Sequence, residues 1–425
     1  MHLEVTDSEQ SAEPGPAACP MSRLADPLAY VDGSFHRLWA RMRSDAPVSW
    51  TPPTDDRPGF WNVTSYPEVR EVLKDHRTYS SEHGTILDSV AVGGDSAGGL
   101  TVTLMDPPVH SAIRAEIGSL LTLKEAQAAA PEIRQRVRRL TEPWWSGGTH
   151  DVAPALERLS ALAFGDVIGI LPTHWDELSR WTTASIAPED PVVAAGRPAE
   201  TVLRDAHHHL FACFRDSLRA KRERPGRDIA SLLTRFQLDG SRLSEREQLL
   251  NIYSIVLGAG STTPQAANHL LLLLAKRPEL LTGIRSGEVA VRKLLEETVR
   301  WVTPTNHLVR RAAEDTELGG QKVRSGDWVC LWIASANRDG TRFQDADLVQ
   351  PARTGAHVGY GVGPHICVGM HFARVALEAL VEEVARRVSR ITVAGPVRHL
   401  ASTFINGITQ LPLTFEVETH GPAER

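Results

Sequence analysis

The sequence has few cysteines, no long apolar run and no strong charge of either sign. Its longest apolar run, Leu270 to Ala275, is far shorter than the ~20 residues that a membrane-spanning helix needs, so we expect no membrane anchor. The net charge of −6 is mild and argues against nucleic acid as the main partner. With 42% hydrophobic and 23% charged residues, the 425-residue chain has the composition of a soluble globular protein.

Cysteine occurs at only four positions, Cys19, Cys213, Cys330 and Cys367. Their spacings match neither a zinc site nor a disulfide framework. Cys213 and Cys330 lie in apolar stretches, which predicts that both are core residues. Such sparse usage is typical of proteins from a reducing compartment, so we expect a cytoplasmic location.

The N-terminal segment is polar and acidic, and it lacks the apolar core of a signal peptide. Three prolines, Pro14, Pro16 and Pro20, also interrupt it. Because such a segment buries little apolar surface, we predict a disordered tail over residues 1–24.

Helices are predicted through most of the chain between Pro108 and Trp301, where apolar residues recur at helical spacing. Ser244 followed by Glu247 is a capping-box pattern, and it opens the longest predicted helix. That helix is expected to run to about Lys276. The chain is therefore predicted to be mainly helical.

Outside the helices, β-rich segments are predicted at residues 48–50, 60–63, 305–333 and 391–417. Residues 81–103 are rich in glycine, serine and small apolar side chains. A loop of this length is usually functional or disordered, so we expect a long mobile loop there.

The longest predicted helix contains two glycines and a proline in its interior, Gly258, Gly260 and Pro264. Each glycine costs about 1 kcal/mol and the proline about 3 kcal/mol in a helix interior. Pro264 also has no N–H to donate to the carbonyl of Gly260. We therefore expect the helix to open at 258–262 and to leave a groove there, although a simple packing kink is the alternative.

Cys367 lies in an unusual loop with the sequence Tyr-Gly-Val-Gly-Pro-His-Ile-Cys-Val-Gly over residues 360–369. Gly361, Gly363 and Gly369 would let the backbone pass close to a flat group where a Cβ would collide. Backbone N–H groups in such a loop can also hold a thiolate ionised. A haem iron held by one cysteine needs this arrangement, whereas the alternative is an inert buried cysteine in an ordinary turn.

The loop resembles the cysteine-ligand loop of the cytochrome P-450 family, Phe-Gly-x-Gly-x-His/Arg-x-Cys-x-Gly. It departs from that pattern only at Tyr360, which keeps the ring and adds a hydroxyl that could tune the iron. The resemblance runs from about Ala25 to about Phe415. It implies a single mainly α domain over 25–425 with the cytochrome P-450 fold, a smaller β-rich region, and a long central helix over haem b.

In the family, the central helix carries Ala/Gly-Gly-x-Asp/Glu-Thr, whose bulge makes room for dioxygen. Counting from Pro278 places Thr262 on the family threonine, although the motif letters also allow a shift to Thr263. The resemblance implies that Thr262 donates a hydrogen bond to dioxygen at the iron. Ser261 stands where the family has an acid, which puts ordinary proton delivery in doubt.

Four residues match the family positions that bind the haem propionates. His110 and Arg114 lie in the segment Asp-Pro-Pro-Val-His-Ser-Ala-Ile-Arg, which matches Asp-Pro-Pro-x-His-x-x-x-Arg, and they share a helix face. Arg310 and His365 complete the set by resemblance. His357 is a weaker fifth candidate, and we expect Arg311 to be solvated.

Glu297 and Arg300 form a Glu-x-x-Arg pair, and Arg353 follows in the next meander. Alone, such a pair is more often a solvated surface pair. The resemblance implies instead that the three form a buried, mutually paired trio that holds the cysteine loop.

Substrate contacts are implied only by resemblance, from the 81–103 loop, the helix pair around 175–215, the helix face before Gly258, residues 305–309 and the 404–408 turn. They are predicted to form a mainly apolar pocket in which Asn306 or His307 supplies one polar contact. The candidates are Ile86, Leu87, Val256, Ala259, Asn306, His307, Leu308, Phe404 and Ile405. The run His207–His209 is expected to be a solvated or partly buried helix face rather than a metal site.

The resemblance implies a haem–thiolate monooxygenase that oxidises an apolar or amphipathic small molecule, with secondary-metabolite tailoring as the expected role. Electrons would come from a separate ferredoxin, which Arg114 and Arg374 could help to dock, and the protein is expected to be a monomer. Ser261 leaves oxidative C–C or C–N coupling open as an alternative chemistry. A non-catalytic haem sensor is the remaining alternative.

Overall fold

The computed structural model describes residues 20–55, 57–238 and 240–418. The α-helices are α1 (Phe35–Asp45), α2 (Tyr66–Lys74), α3 (Leu87–Ala91), α4 (Val109–Leu120), α5 (Leu123–Thr141), α6 (Ala153–Glu157), α7 (Leu159–Ile168), α8 (Trp175–Ile186), α9 (Pro191–Ala194), α10 (Ala199–Glu223), α11 (Ile229–Leu233), α12 (Glu245–Lys276), α13 (Pro278–Ser286), α14 (Val291–Val302), α15 (Ile333–Ala336) and α16 (Met370–Arg387). Among the described residues, no helix is both long and apolar enough to cross a bilayer.

The strands form one five-stranded sheet and several smaller ones. They are β1 (Val48–Thr51), β2 (Phe60–Val63), β3 (Tyr79–Ser80), β4 (Thr149–Asp151), β5 (Gln237–Leu238), β6 (Ser241–Arg242), β7 (Leu308–Ala312), β8 (Thr316–Leu318), β9 (Gln321–Val323), β10 (Trp328–Leu331), β11 (Val388–Val393), β12 (Arg398–His399), β13 (Ile408–Gln410) and β14 (Pro412–Val417). The large sheet has the order β1-β2-β10-β7-β3, and β11, β14 and β4 form a second sheet. The predicted β-rich segments all contain strands.

The N-terminal prediction needs one correction within the described residues. Pro20–Ala25 forms a 3₁₀-helix, and Leu24 is buried in a core with α1. Residues 20–24 therefore have a helical backbone rather than a disordered one, and residues 1–19 of the expected disordered tail lie outside the described residues.

The loop predicted at 81–103 contains a helix that the sequence reading missed. Leu87 and Val90 of α3 are buried against the large sheet, and this tertiary burial overrides the local richness in glycine and serine. The segment is therefore anchored at its middle.

Helix α12 runs through the main core and begins with the predicted capping box, in which Ser244 and Glu247 satisfy each other's backbone N–H groups. The expected opening at 258–262 is wrong, because α12 is helical without interruption. The hydroxyls of Ser261 and Thr262 donate to the carbonyls of Leu257 and Gly258 at 2.6 and 2.7 Å. These bonds give both hydroxyls an acceptor within the helix.

Candidate active site

The loop around Cys367 packs between α2 and the start of α16. The Cys367 N–H donates to the carbonyl of Tyr360 at 2.7 Å, which closes the loop on itself. Gly361 and Gly363 have φ values of 69° and 76°, which side-chain-bearing residues rarely adopt. A Cβ on Gly363 would also lie 2.6 Å from the carbonyl oxygen of Leu73 in α2. Turn geometry and the backbone of α2 therefore explain Gly363, rather than the flat group that we expected.

Two kinds of interaction act in opposite directions on the pKa of the Cys367 thiol. Burial raises the pKa of Cys367, while the N–H groups of Gly369 and Met370 and the charges of Arg114 and Arg374 lower it. These groups stabilise the thiolate once a cation is present to bind it. The arrangement suits a metal-ligating sulfur better than an inert core thiol.

Arg374 is held beside this loop by Glu296. Its Nε and Nη2 donate to the two carboxylate oxygens of Glu296 at 2.6 and 3.0 Å, and its guanidinium lies 4.8 Å from the centre of the Tyr360 ring. Arg114 donates to the carbonyl of Ile366. Both arginines are therefore held at the cysteine loop, and their expected part in docking a ferredoxin stays a prediction.

His110, Arg114, Arg310 and His365 converge from α4, β7 and the cysteine loop. The rings of His110 and His365 lie 4.1 Å apart between centroids. Burial, followed by the charges of Arg310, His110 and Arg114, lowers the pKa of His365 to about 2. Burial and then Arg114 lower the pKa of His110 to about 4. Asp106 is the carboxylate that opposes these shifts at His110 and Arg310, and it faces two arginines and two imidazoles.

Two observations test whether this cluster fits an anionic group. The side chain of Arg310 is 3% exposed, and its hydrogen bond goes to the carbonyl of the adjacent Val309 at 2.8 Å, with no ion pair among the described residues. Both ring nitrogens of His110 are buried without a hydrogen-bond partner. Buried cations and donors of this kind require an anion. The two propionate carboxylates of a porphyrin would supply it, so the residues present fit haem.

His357 and Arg311, the two other basic residues considered for this cluster, have partners elsewhere. His357 lies 3.5 Å from Glu296 and accepts the Gly359 N–H at Nδ1, so its side chain belongs to the Glu296–Arg374 group. Arg311 is half-buried rather than solvated. Its guanidinium lies 5.4 Å from the Trp328 ring and donates to the carbonyl of Gly326.

The structure brings Glu297, Arg300 and Arg353 together in a buried trio. Both arginines bind Glu297, with nearest N–O distances of 2.7 and 3.0 Å. Arg300 also donates to backbone carbonyls of the following meander, at Asn337, Ala346 and Leu348. The trio therefore fixes the chain that leads into the cysteine loop.

On α12, the two candidate threonines differ in their surroundings. Thr262 is half-buried, whereas Thr263 is 3% exposed and therefore enclosed by protein. Ser261 is 4% exposed and is also enclosed. Of the three, Thr262 is the one with an open side.

The predicted substrate residues fall into two groups. Ile86, Ala259, Leu308 and Phe404 are half-buried, while Leu87, Val256, Asn306, His307 and Ile405 are fully enclosed by protein. His307 accepts the Leu87 N–H at Nε2 and donates from Nδ1 to the carbonyl of Thr403, both at 3.0 Å. Its two nitrogens are occupied, which corrects the expectation of a polar substrate contact at His307.

The histidine run on α10 is partly buried. His207 bonds the Tyr253 hydroxyl at 2.9 Å, and His209 stacks on Trp181 at 4.1 Å between centroids. Over residues 20–55, 57–238 and 240–418, no group of three or more His, Cys, Asp or Glu side chains is placed to hold a metal ion.

Sequence reasoning missed Glu296, which holds Arg374 beside the cysteine loop. The adjacency of Glu296 to Glu297 was its only signal, because its partner Arg374 lies 78 residues away.

Comparison with known proteins gives consistent matches over nearly the whole chain. The family model described as Cytochrome P-450 matches residues 290–394. Linalool 8-monooxygenase from Pseudomonas putida is 32% identical over 398 residues, which cover 91% of this chain and 97% of that protein.

Two solved structures share the fold. P-450 OxyD, which is involved in the biosynthesis of vancomycin-type antibiotics, is 27% identical with a TM-score of 0.83, covering 92% of this chain and 99% of that one. CYP268A2 from Mycobacterium marinum, solved in complex with pseudoionone, is 25% identical with a TM-score of 0.85, covering 96% and 100%. The predicted fold class is therefore confirmed.

Proposed function

The chain belongs to the cytochrome P-450 family of haem b monooxygenases, and we propose that it inserts oxygen from dioxygen into an apolar or amphipathic small molecule. The buried Arg310, which has no ion pair among the described residues, carries this proposal, because it supports a site for the carboxylates of the cofactor. Cys367 would hold the iron, and His110, Arg114, Arg310 and His365 would hold the propionates. When bound, the haem supplies the reductive activation of dioxygen, in which substrate, dioxygen, two electrons and two protons become oxygenated product and water.

The remaining roles fall to residues of α12 and the loop. The Thr262 hydroxyl donates to the carbonyl of Gly258, and rotation away from that carbonyl would let it donate a hydrogen bond into the space beside α12. Arg114 and the backbone around Cys367 stabilise the negative sulfur. The Glu297 trio holds the meander and makes no contact with the reacting atoms.

A small apolar substrate is supported by the half-buried side chains Ile86, Leu308 and Phe404. Linalool 8-monooxygenase and the pseudoionone complex of CYP268A2 support an acyclic isoprenoid substrate, since linalool and pseudoionone are both of that class. OxyD, involved in antibiotic biosynthesis, supports a role in secondary metabolism. We propose secondary-metabolite tailoring, with acyclic isoprenoids as the first compounds to test.

Electrons are proposed to come singly from a ferredoxin-type protein. The cysteine loop reaches the surface at Ile366, which is 37% exposed. Exposed basic residues Arg70, Lys74 and Arg77 lie on or just after α2, whose backbone contacts Gly363 of that loop. These basic side chains alternate with Glu68, Glu71 and Asp75, so an acidic donor would meet local positive charge rather than a net positive face there. Free thiols at the buried Cys213 and Cys330 support a cytoplasmic location.

The test is a screen of candidate ligands by the shift of the haem absorption band, followed by turnover under ¹⁸O₂ with ferredoxin and its reductase. The proposal predicts a product that gains one labelled oxygen. Ser261, in place of an acid, favours oxidative coupling as the second candidate. A product that loses hydrogens or dimerises without label would establish coupling and overturn oxygen insertion.

A further inference from the structure

Glu296 of α14 binds side chains from two other parts of the chain. Nε and Nη2 of Arg374, on α16, donate to its two carboxylate oxygens at 2.6 and 3.0 Å. His357 has its Nε2 3.5 Å from the same carboxylate, and its Nδ1 accepts the Gly359 N–H at 3.1 Å. Because Nδ1 is an acceptor, the ring proton is on Nε2 and faces Glu296. One carboxylate thus joins α14, α16 and the segment that leads to Cys367.

Both members of the Glu296–Arg374 pair are held in their charged states. Burial raises the pKa of Glu296, but the bonds from His357 and Arg374 outweigh it and lower that pKa to about 2. Burial also lowers the pKa of Arg374, but the bond to Glu296 and the other groups around the guanidinium raise it by more. The two side chains are 34% and 16% exposed, so water screens their charges only in part.

Arg374 connects this carboxylate to the expected iron ligand. Its guanidinium lies 4.8 Å from the centre of the Tyr360 ring, and the carbonyl of Tyr360 accepts the Cys367 N–H at 2.7 Å. Burial raises the pKa of Cys367, and Arg114 and Arg374 are the cations that lower it. In the proposed holoprotein Arg114 faces a propionate, so each of these cations has its own counter-charge. Glu296 therefore determines how much net positive charge Arg374 presents to the sulfur.

We propose that Glu296 sets the reduction potential of the haem iron, because it holds Arg374 beside Cys367 and partly cancels its charge. An electron that enters the haem adds negative charge at the iron and the sulfur, so an uncompensated cation nearby favours the reduced state. The step is the one-electron reduction of ferric to ferrous haem, with the electron taken from a ferredoxin-type donor. Glu296 acts through Arg374, so it is a positioning residue and not a catalytic one. The inference rests on the proposed haem–thiolate function.

Glu296→Gln keeps an oxygen that accepts from Arg374 and removes the negative charge. In the holoprotein it should shift the ferric–ferrous equilibrium toward the reduced form by about tenfold, which is a rise of about 59 mV for one electron. Arg374→Met should shift the equilibrium about tenfold the other way at pH 8, where Glu296 is ionised. Arg374→Lys keeps the charge and should stay within about twofold of the natural protein. Dye-mediated redox titration measures these potentials without a ferredoxin, so changes in docking do not affect the result.

Glu382→Gln is the matched control. Glu382, also on α16, binds Arg134 through both carboxylate oxygens at 2.9 and 3.4 Å, but this pair is exposed. The control should therefore leave the potential unchanged. The double variant Glu296→Gln/Arg374→Met removes both charges, and its potential should lie closer to the natural value than that of either single variant. General loss of structure would instead add the two effects.

The absorption band of the reduced, carbon monoxide-bound protein separates the two possible failures. Equal potentials in the natural protein and Glu296→Gln, with the thiolate band present in both, would overturn the inference and leave the proposed function standing. If Glu296→Gln loses that band, Arg374→Met and Arg374→Lys decide, and equal potentials in these two would overturn the inference. A natural protein without the band would overturn the proposed function itself, and this inference with it.

Discussion

Arg300 binds Glu297 through two parallel hydrogen bonds, from Nε to Oε2 at 2.7 Å and from Nη2 to Oε1 at 2.8 Å. Arg353 adds a third at 3.0 Å, and the backbone N–H of Gln350 a fourth at 2.9 Å. One buried carboxylate thus organises two arginines and the meander that precedes the cysteine loop. Bidentate, charge-assisted bonds of this kind are the strong ones in proteins.

Glu297→Gln should lower the free energy of unfolding by about 3–5 kcal/mol, because it leaves two arginines in the interior without their counter-charge. Urea unfolding of the apoprotein measures the change. Glu317→Gln, on the exposed part of β8, makes the same chemical substitution and should change stability by less than about 0.5 kcal/mol. Equal effects from the two variants would contradict the structural role of the trio.

Arg310→Met should show whether the positive charge of Arg310 is needed for haem binding or for folding. In the apoprotein it removes a buried cation that lacks an ion pair among the described residues, so stability should be unchanged or rise. Haem binding should weaken by about 1.5–3 kcal/mol, which is roughly 10- to 150-fold in dissociation constant. Haem transfer to an acceptor protein measures this, with Arg311→Met as the neighbouring control. Unchanged haem retention in Arg310→Met would refute the propionate assignment.

Thr262→Ala and Thr263→Ala should differ sharply, which settles the register that the motif left open. Thr262→Ala should divert most electrons to hydrogen peroxide, because its hydroxyl is the one with an open side. Thr263→Ala changes a residue enclosed by protein, so it should mainly cost stability. The measurement is product and peroxide formed per electron; the reverse pattern would move the functional hydroxyl to Thr263.

The fully buried His307 predicts a pH dependence of stability. Burial lowers the pKa of His307 to about 4, from about 6.5 in the unfolded chain. Below pH 6.5 His307 becomes protonated in the unfolded state, whereas in the folded state it stays neutral until about pH 4. Stability is therefore present above pH 6.5 and is lost as the pH falls through this window, by about 3 kcal/mol in all.

His307→Gln tests this assignment. Glutamine can still accept from the Leu87 N–H and donate to the Thr403 carbonyl, but it does not titrate. Urea unfolding between pH 7 and pH 4 should show a shallower loss than in the natural protein, while His208→Gln, at an exposed position, should leave the slope unchanged. An identical slope in His307→Gln would show that His307 does not titrate on unfolding.

Several parts of the fold and site could be predicted from sequence because their signals are local. The capping box at Ser244 and the cysteine loop each lie within ten residues, and each carries its own chemistry. The position of Arg310 followed from resemblance. These features depend on neighbours in the chain, so a motif is enough to find them.

Other features depend on distant partners and could not be found in this way. His307 appeared to be a polar pocket residue, yet its ring is held by Leu87 and Thr403, 220 and 96 residues away. Helix propensity predicted an opening at 258–262, but α12 is continuous through this turn, where Thr182 packs against Gly260. Tertiary contacts, which no single-sequence pattern carries, decide such cases.

The central claim is that the sulfur of Cys367 binds the iron of a haem. It is tested most directly by the absorption spectrum of the reduced, carbon monoxide-bound holoprotein, compared with that of Cys367→Ser. The account predicts the red-shifted band characteristic of thiolate ligation in the natural protein and its loss in the variant. A natural protein without that band, or a variant that keeps it, would contradict the account.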